Sequence, residues 1–139
     1  NSKIRIMTNI LMTDVNNYDI RNHNLINSIS KEFYNSIYGR PIDILSSALG
    51  RGLLSYGLRK IYNIDVDFKS LVFNKNGRPK LPNLSNNLDF NISHSGQFVV
   101  CAISNSIPVG IDIEKIKEIE IESFKNYMTA QEYRNIVYS

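Results

Sequence analysis

Phe90-Asn91-Ile92-Ser93-His94-Ser95-Gly96-Gln97-Phe98-Val99-Val100-Cys101-Ala102-Ile103-Ser104 is the stretch that decides the fold class. Two runs rich in apolar and β-branched residues, Phe90 to Ser93 and Phe98 to Ser104, flank Ser95-Gly96, the pattern of two strands joined by a tight turn. Further on, Asn105-Ser106 predicts another turn and Val109 to Glu114 another strand. Upstream, Leu71 to Phe73 predicts a brief strand ahead of the turn cluster Asn74-Lys75-Asn76-Gly77-Arg78-Pro79. The middle of the chain is therefore expected to be a small antiparallel sheet.

Helical spacing surrounds this core. Ile42, Leu45, Leu49, Leu53, Leu54, Leu58 and Ile61 fall on one stripe over about five turns, with Asn63 as the stop. Ile29, Phe33, Tyr34 and Ile37 predict a helix over Asn27 to Tyr38, ended by Gly39-Arg40-Pro41. The apolar run Ile4 to Met12 predicts a strand, followed by an Asn-rich loop from Asp14 to Asp19. From Glu120 helical chemistry returns, and Thr129-Ala130-Gln131-Glu132 has the spacing of a capping box for a helix running to the last residue. The expected class is α+β, a small antiparallel sheet packed on a long helix. With 139 residues and neither repeat nor linker, residues 1–139 are expected to form a single domain.

Composition excludes several classes. A 42% hydrophobic, 21% charged chain is neither disordered nor collagen-like. No stretch approaches the roughly 20 apolar residues of a membrane span, and no signal-peptide pattern opens the chain, so a soluble, cytoplasmic protein is expected. Cys101 is the single cysteine and only two histidines accompany it, which excludes an internal disulfide and argues against zinc. Sixteen basic residues against thirteen acidic give +3, scattered along the chain, so nucleic acid is not an expected partner. A small anion or an acidic partner protein needs only a local patch.

Four constellations carry potential chemistry, each beside a plainer reading. On a strand, Asp112 and Glu114 project to one face while Ile111 and Ile113 turn to the core. That pair is either a solvated face of alternating charge or a seat for Mg²⁺, which accepts one or two carboxylates with phosphate oxygens and water. Asn91-Ile92-Ser93-His94-Ser95-Gly96 is either a hydrogen-bonded corner or a place where side chains and N–H groups meet an anion. Gly77-Arg78-Pro79-Lys80 is either an exposed hairpin loop or a rigid cationic turn for a phosphate or purine edge. Glu132 is a helix cap or a general base.

Their order is informative. Gly77-Arg78-Pro79, Phe90-Asn91-Ile92-Ser93-His94-Ser95, Val109-Gly110-Ile111-Asp112-Ile113-Glu114-Lys115 and Glu132 closely resemble the surfactin-type 4′-phosphopantetheinyl transferases. Those enzymes show a Gly-Lys-Pro turn, a Phe-Asn-Ile-Ser-His-Ser strand and a Gly-Ile-Asp-(Ile/Val)-Glu strand in the same succession. The resemblance implies transfer of phosphopantetheine from coenzyme A to a serine of an acyl- or peptidyl-carrier protein, with release of adenosine 3′,5′-bisphosphate. It implies Mg²⁺ on Asp112 and Glu114, with Mn²⁺ suiting the same oxygen ligands, and Glu132 as the base, so that Asp112, Glu114 and Glu132 are the expected catalytic residues. Coenzyme A is expected against Gly77, Arg78, Pro79, Ser93, His94 and Lys115. Arg40 stands in for an arginine that relatives carry near the start of the long helix.

The sequence also departs from that pattern. Arg78 replaces the usual Lys, keeping charge but changing hydrogen-bond geometry, and Ile116 stands where Thr is common. Surfactin-type enzymes are pseudo-dimers of two similar halves, and this sequence stops at Ser139, before their Trp-x-x-Lys-Glu motif. The expectation is an N-terminal half whose exposed cleft wall is covered by a second copy in a homodimer or by exchange of elements between copies. The alternative function is a non-catalytic fragment that keeps the fold and a weak affinity for coenzyme A or nucleotide.

Overall fold

A computed structural model describes residues 5–18, 41–85 and 87–138. The predicted helix over Asn27 to Tyr38 and Arg40 lie outside the described residues.

The order of elements is β1 (Thr8–Asp14), α1 (Pro41–Tyr62), β2 (Val72–Phe73), β3 (Pro79–Lys80), β4 (Asp89–Ser95), β5 (Phe98–Ser104) and α2 (Ala130–Val137), with short 3₁₀ turns at Val15–Asn17, Phe68–Ser70 and Ile121–Tyr127. The expected α+β class is what the chain forms. β4 and β5 make the antiparallel hairpin, with Ser95 opposite Phe98. Gly96 takes φ +56° at its tip, the conformation a two-residue turn asks of its first central residue. β5 lies in the middle of a three-stranded sheet of order β1-β5-β4, and Val99, Val100, Cys101, Ala102, Ile103 and Ser104 are all buried.

Three expectations need correction. The third strand of the sheet is β1, which pairs antiparallel with β5 from Thr8 opposite Ser104 to Asp14 opposite Phe98. Val109 to Glu114 is extended but forms no strand; its N–H groups go to side chains of β4, as described below. The predicted first strand also sits later than expected, at Thr8–Asp14, and the final helix ends at Val137. Among the described residues, β2 and β3 pair with each other in a separate two-stranded sheet.

α1 starts with Pro41 at its first position, where a missing N–H costs nothing, and ends where predicted. Asn63 takes φ +54°, the left-handed conformation that closes a helix, and the Ile64 N–H reaches back to the Leu58 carbonyl at 3.1 Å. Leu54 and Leu58 pack with Leu81, Phe90, Cys101 and Ile103, while Leu45 and Leu49 pack with Val15 and Val99. Each such leucine contributes about 1.5–3 kcal/mol. The ends of the stripe, Ile42 and Ile61, are exposed. No helix among the described residues is long and apolar enough to cross a membrane.

Helix and sheet approach closely because two glycines lie at the contact. A Cβ on Gly57 would stand 2.5 Å from Ile103 Cδ1 and 3.1 Å from Leu11 Cδ1, and one on Gly50 would stand 2.6 Å from Ile92 Cγ2. A methyl at Gly52 would meet nothing within 4 Å. Gly57→Ala is therefore expected to lower stability by about 1–3 kcal/mol through overpacking, against its gain in helix propensity. Gly52→Ala is expected to raise stability by about 0.5–1 kcal/mol. Urea unfolding of both variants tests this, and a Gly57→Ala chain as stable as its parent would refute the close contact.

Candidate functional site

The site grows from the hairpin β2–β3. Asn74 Oδ1 accepts the N–H groups of Asn76 and Arg78 at 3.0 and 2.9 Å, and Gly77 turns the chain at φ +74°. This fixed turn sends the Arg78 side chain inward. Its Nη2 donates to Asp89 Oδ2 at 2.7 Å, to the Phe90 carbonyl at 2.9 Å and to the Val109 carbonyl at 2.7 Å. The Val109 N–H reaches the same Asp89 oxygen at 2.7 Å. Arg78 thus ties three separate parts of the chain together, and Nη2 is engaged within the protein.

From this knot the chain runs along β4 in constant register. Val109, Ile111, Ile113 and Lys115 donate their N–H groups to Asp89 Oδ2, Asn91 Oδ1, Ser93 Oγ and Ser95 Oγ at 2.7, 2.9, 3.3 and 3.0 Å, always twenty residues apart. Alternate β4 side chains lie on one face of a strand, so this row of acceptors does the work a backbone ladder does in a sheet. Val109, Ile111 and Ile113 are half-buried, whereas Gly110, Asp112 and Glu114 are exposed. Asp112 and Glu114 therefore share the outer side, and Ser93 Oγ donates to Asp112 Oδ1 at 3.0 Å.

Strand alternation separates the neighbours Ser93 and His94. Ser93 lies on the face that holds the extended segment, and His94 has the parity of Phe90 and Ile92 and is exposed at the hairpin end. The Lys115 stem lies beside Gly96 at the hairpin tip. Next to Gly77-Arg78-Pro79 opens a cleft of about 620 Å³, lined among others by Asn74, Arg78, Lys80, Asp89, Ile107 and Pro108.

Residues 23–106, more than half of the chain, match the sequence family described as 4′-phosphopantetheinyl transferase, N-terminal. The chain belongs to the 4′-phosphopantetheinyl transferase family. It is 40% identical over 111 residues to the 4′-phosphopantetheinyl transferase gsp of Aneurinibacillus migulanus, covering 78% of this chain and 45% of that protein. It is 36% identical over 95 residues to the 4′-phosphopantetheinyl transferase Sfp of Bacillus subtilis strain 168, covering 68% and 42%. To the 4′-phosphopantetheinyl transferase psf-1 of Bacillus pumilus it is 32% identical over 96 residues, covering 69% and 40%. The chain spans less than half the length of these relatives. Asp112, Glu114 and Glu132 lie beyond the segment matched by the family.

Glu132 sits in this family member as a helix cap. Its Oε2 accepts both the N–H and the Oγ1 hydroxyl of Thr129 at 2.8 Å, and its own N–H returns to Thr129 Oγ1 at 3.3 Å. The bond from the Thr129 N–H, then that from its hydroxyl, hold the Glu132 carboxyl below the ordinary glutamate range. α2 is anchored on the preceding 3₁₀ turn, where Tyr133 bonds Glu122 and Lys125 Nζ stands 5.1 Å from the Tyr133 ring.

Among the described residues no group of three or more His, Cys, Asp or Glu gathers as a metal cage. The pair Asp112 and Glu114 offers oxygen donors alone, exposed and side by side, with Asp112 oriented by Ser93. That donor set fits a hard divalent cation that keeps open positions for phosphate and water. Sequence reading missed Asp89, Asn91 and Ser95 as partners of the carboxylate segment. Short hydrogen-bond acceptors at every second position from Asp89 to Ser95 are the signal that points to them.

The capping box predicts a pH dependence. Because the folded carboxyl titrates below its ordinary value, the cap contributes fully above the usual glutamate range. That contribution is lost as pH falls through the lowered folded value. Protection of the first α2 amides, followed by NMR, is expected to fall on acidification in the parent and to be independent of pH in Glu132→Gln, since Gln still fits the box.

Proposed function

We propose that this chain is the N-terminal half of an enzyme that moves 4′-phosphopantetheine from coenzyme A to a serine of an acyl- or peptidyl-carrier protein. The observation that carries the reading is the pairing of Asp112 and Glu114 on the exposed side of a segment pinned to β4, in a chain of this family. In the reaction the serine oxygen bonds to the phosphorus nearest the pantetheine. The bond from that phosphorus to the bridging oxygen breaks, and adenosine 3′,5′-bisphosphate leaves with the electron pair.

The residues divide the work as follows. Asp112 and Glu114 hold Mg²⁺, or Mn²⁺, which supplies charge neutralisation at the pyrophosphate. The cleft beside Gly77, Arg78 and Pro79 receives the adenine end, with Lys80 on its wall as a cation. Ser93, His94 and Lys115 border the phosphate path, and Arg40 is a further proposed contact of coenzyme A. Arg78 acts there chiefly by shaping the turn, since its Nη2 is already engaged with Asp89, Phe90 and Val109. Glu132 takes the serine proton, for which its carboxylate must give up the Thr129 bonds or relay through water. The reaction is read as cytoplasmic.

Intact-mass spectrometry of an apo carrier protein incubated with the chain, coenzyme A and Mg²⁺ tests this, with EDTA as control. A metal-dependent gain of one phosphopantetheine is expected. Asp112→Ala is expected to lower the rate at least about a hundredfold with the fold intact, and unchanged transfer would remove the metal assignment. No gain by the parent chain would favour the alternative, a fragment that keeps the fold without turnover.

The reading extends to assembly. Ile10 and Met12, on the β1 face away from α1, are 68% and 63% exposed, and Phe98, opposite Asp14, is exposed on the same face. A second copy covering this apolar face would reproduce the two-half architecture that the resemblance implies. Light scattering is expected to show a dimer that Met12→Lys dissociates, and a clean monomer at high concentration would overturn it.

A further inference from the structure

We propose that Asn91 is a positioning residue of the transfer site: by accepting the Ile111 N–H it sets the register in which the 109–115 segment presents Asp112 and Glu114. The proposal rests on the metal-binding reading of that pair. Asn91 is half-buried, and its Oδ1 lies 2.9 Å from the Ile111 nitrogen. That contact holds the backbone between Gly110 and Asp112. It touches neither carboxylate.

The register needs a holder because no backbone ladder supplies one. In a sheet, paired strands lock each other through their main chains; here the four acceptors are the side chains of Asp89, Asn91, Ser93 and Ser95. The first is shared with Arg78, whose Nη2 also bonds Asp89 Oδ2. The third is divided between the Ile113 N–H and Asp112 Oδ1. The fourth lies at the exposed hairpin end. Asn91 stands between the Arg78 knot and Ser93. A slip of one residue would carry Asp112 about 3.3 Å along the segment and turn its side chain to the opposite face. It would also part Asp112 from Ser93. A partner that only orients a metal ligand typically changes affinity by about 10- to 100-fold, and Asn91 acts on both carboxylates through the backbone they share.

The test uses the full 139-residue chain as wild type, Asn91→Ala and Asn91→Asp, the last keeping an acceptor oxygen at the same reach. Mn²⁺ uptake in the presence of coenzyme A is followed by calorimetry, and amide exchange is followed at Ile111 with Ile103 of β5 as internal reference. Asn91→Ala is expected to lose protection at Ile111 but not at Ile103, and to bind Mn²⁺ about tenfold more weakly. Asn91→Asp is expected to restore both. Wild-type uptake by Asn91→Ala, or undiminished protection at Ile111, overturns the proposal while the metal reading stands. A wild-type chain that takes up no Mn²⁺ overturns the metal reading and the proposal with it. Should Asn91→Ala fail to fold, Ser95→Ala removes the last acceptor of the row, at the exposed end. Faster exchange at Lys115 with weaker Mn²⁺ uptake then supports the register mechanism, and unchanged uptake overturns it.

Discussion

The closest constraint in the structure is steric. The α1 backbone passes so near the sheet that neither Gly50 nor Gly57 has room for a Cβ, the obstacles being Ile92 on β4 and Ile103 and Leu11 on β5 and β1. Those contacts touch all three strands. They fix the height of the helix over the sheet, and with it the depth to which Leu54 and Leu58 bury. On the opposite face, the β4 strand is left to carry short polar side chains that hold the extended segment.

That division of labour is visible along β4. Its even-numbered residues, Phe90 and Ile92, serve the core, while its odd-numbered ones, Asp89, Asn91, Ser93 and Ser95, carry the acceptors that hold the extended segment. One seven-residue strand thus links the hydrophobic core to the paired carboxylates. The Arg78 knot closes the start of the segment against the small hairpin β2–β3, so the cleft, the turn and the carboxylates share one support.

Much of this was legible in the sequence. The hairpin β4–β5 showed itself through Ser95-Gly96 between apolar runs, and α1 through its leucine stripe and Asn63. The Glu132 cap followed from its spacing to Thr129. The third strand was misassigned for a physical reason. Val109 to Glu114 alternates half-buried and exposed residues as a paired strand does, but alternation does not say whether the partner offers main chain or side chains. β1 pairs across more than eighty residues, a distance that local pattern does not bridge. Arg78 read either as part of an exposed hairpin loop or as a cation turned to a phosphate, because its turn is rich in Asn and Gly. Its inward course depends on Asp89, on a different strand, and on the Val109 carbonyl beyond it.

Cys101 has a further consequence. Its side chain is sealed in the core at 0% exposure, and burial pushes its thiol up to about 12. Coenzyme A ends in a thiol, and thiols of this kind exchange with disulfides through the thiolate form. The proposed ligand thus carries a sulfur able to exchange with a protein thiolate. With its single cysteine protonated and out of reach, the folded chain has no nucleophilic sulfur with which to be captured as a mixed disulfide by the molecule it is proposed to bind.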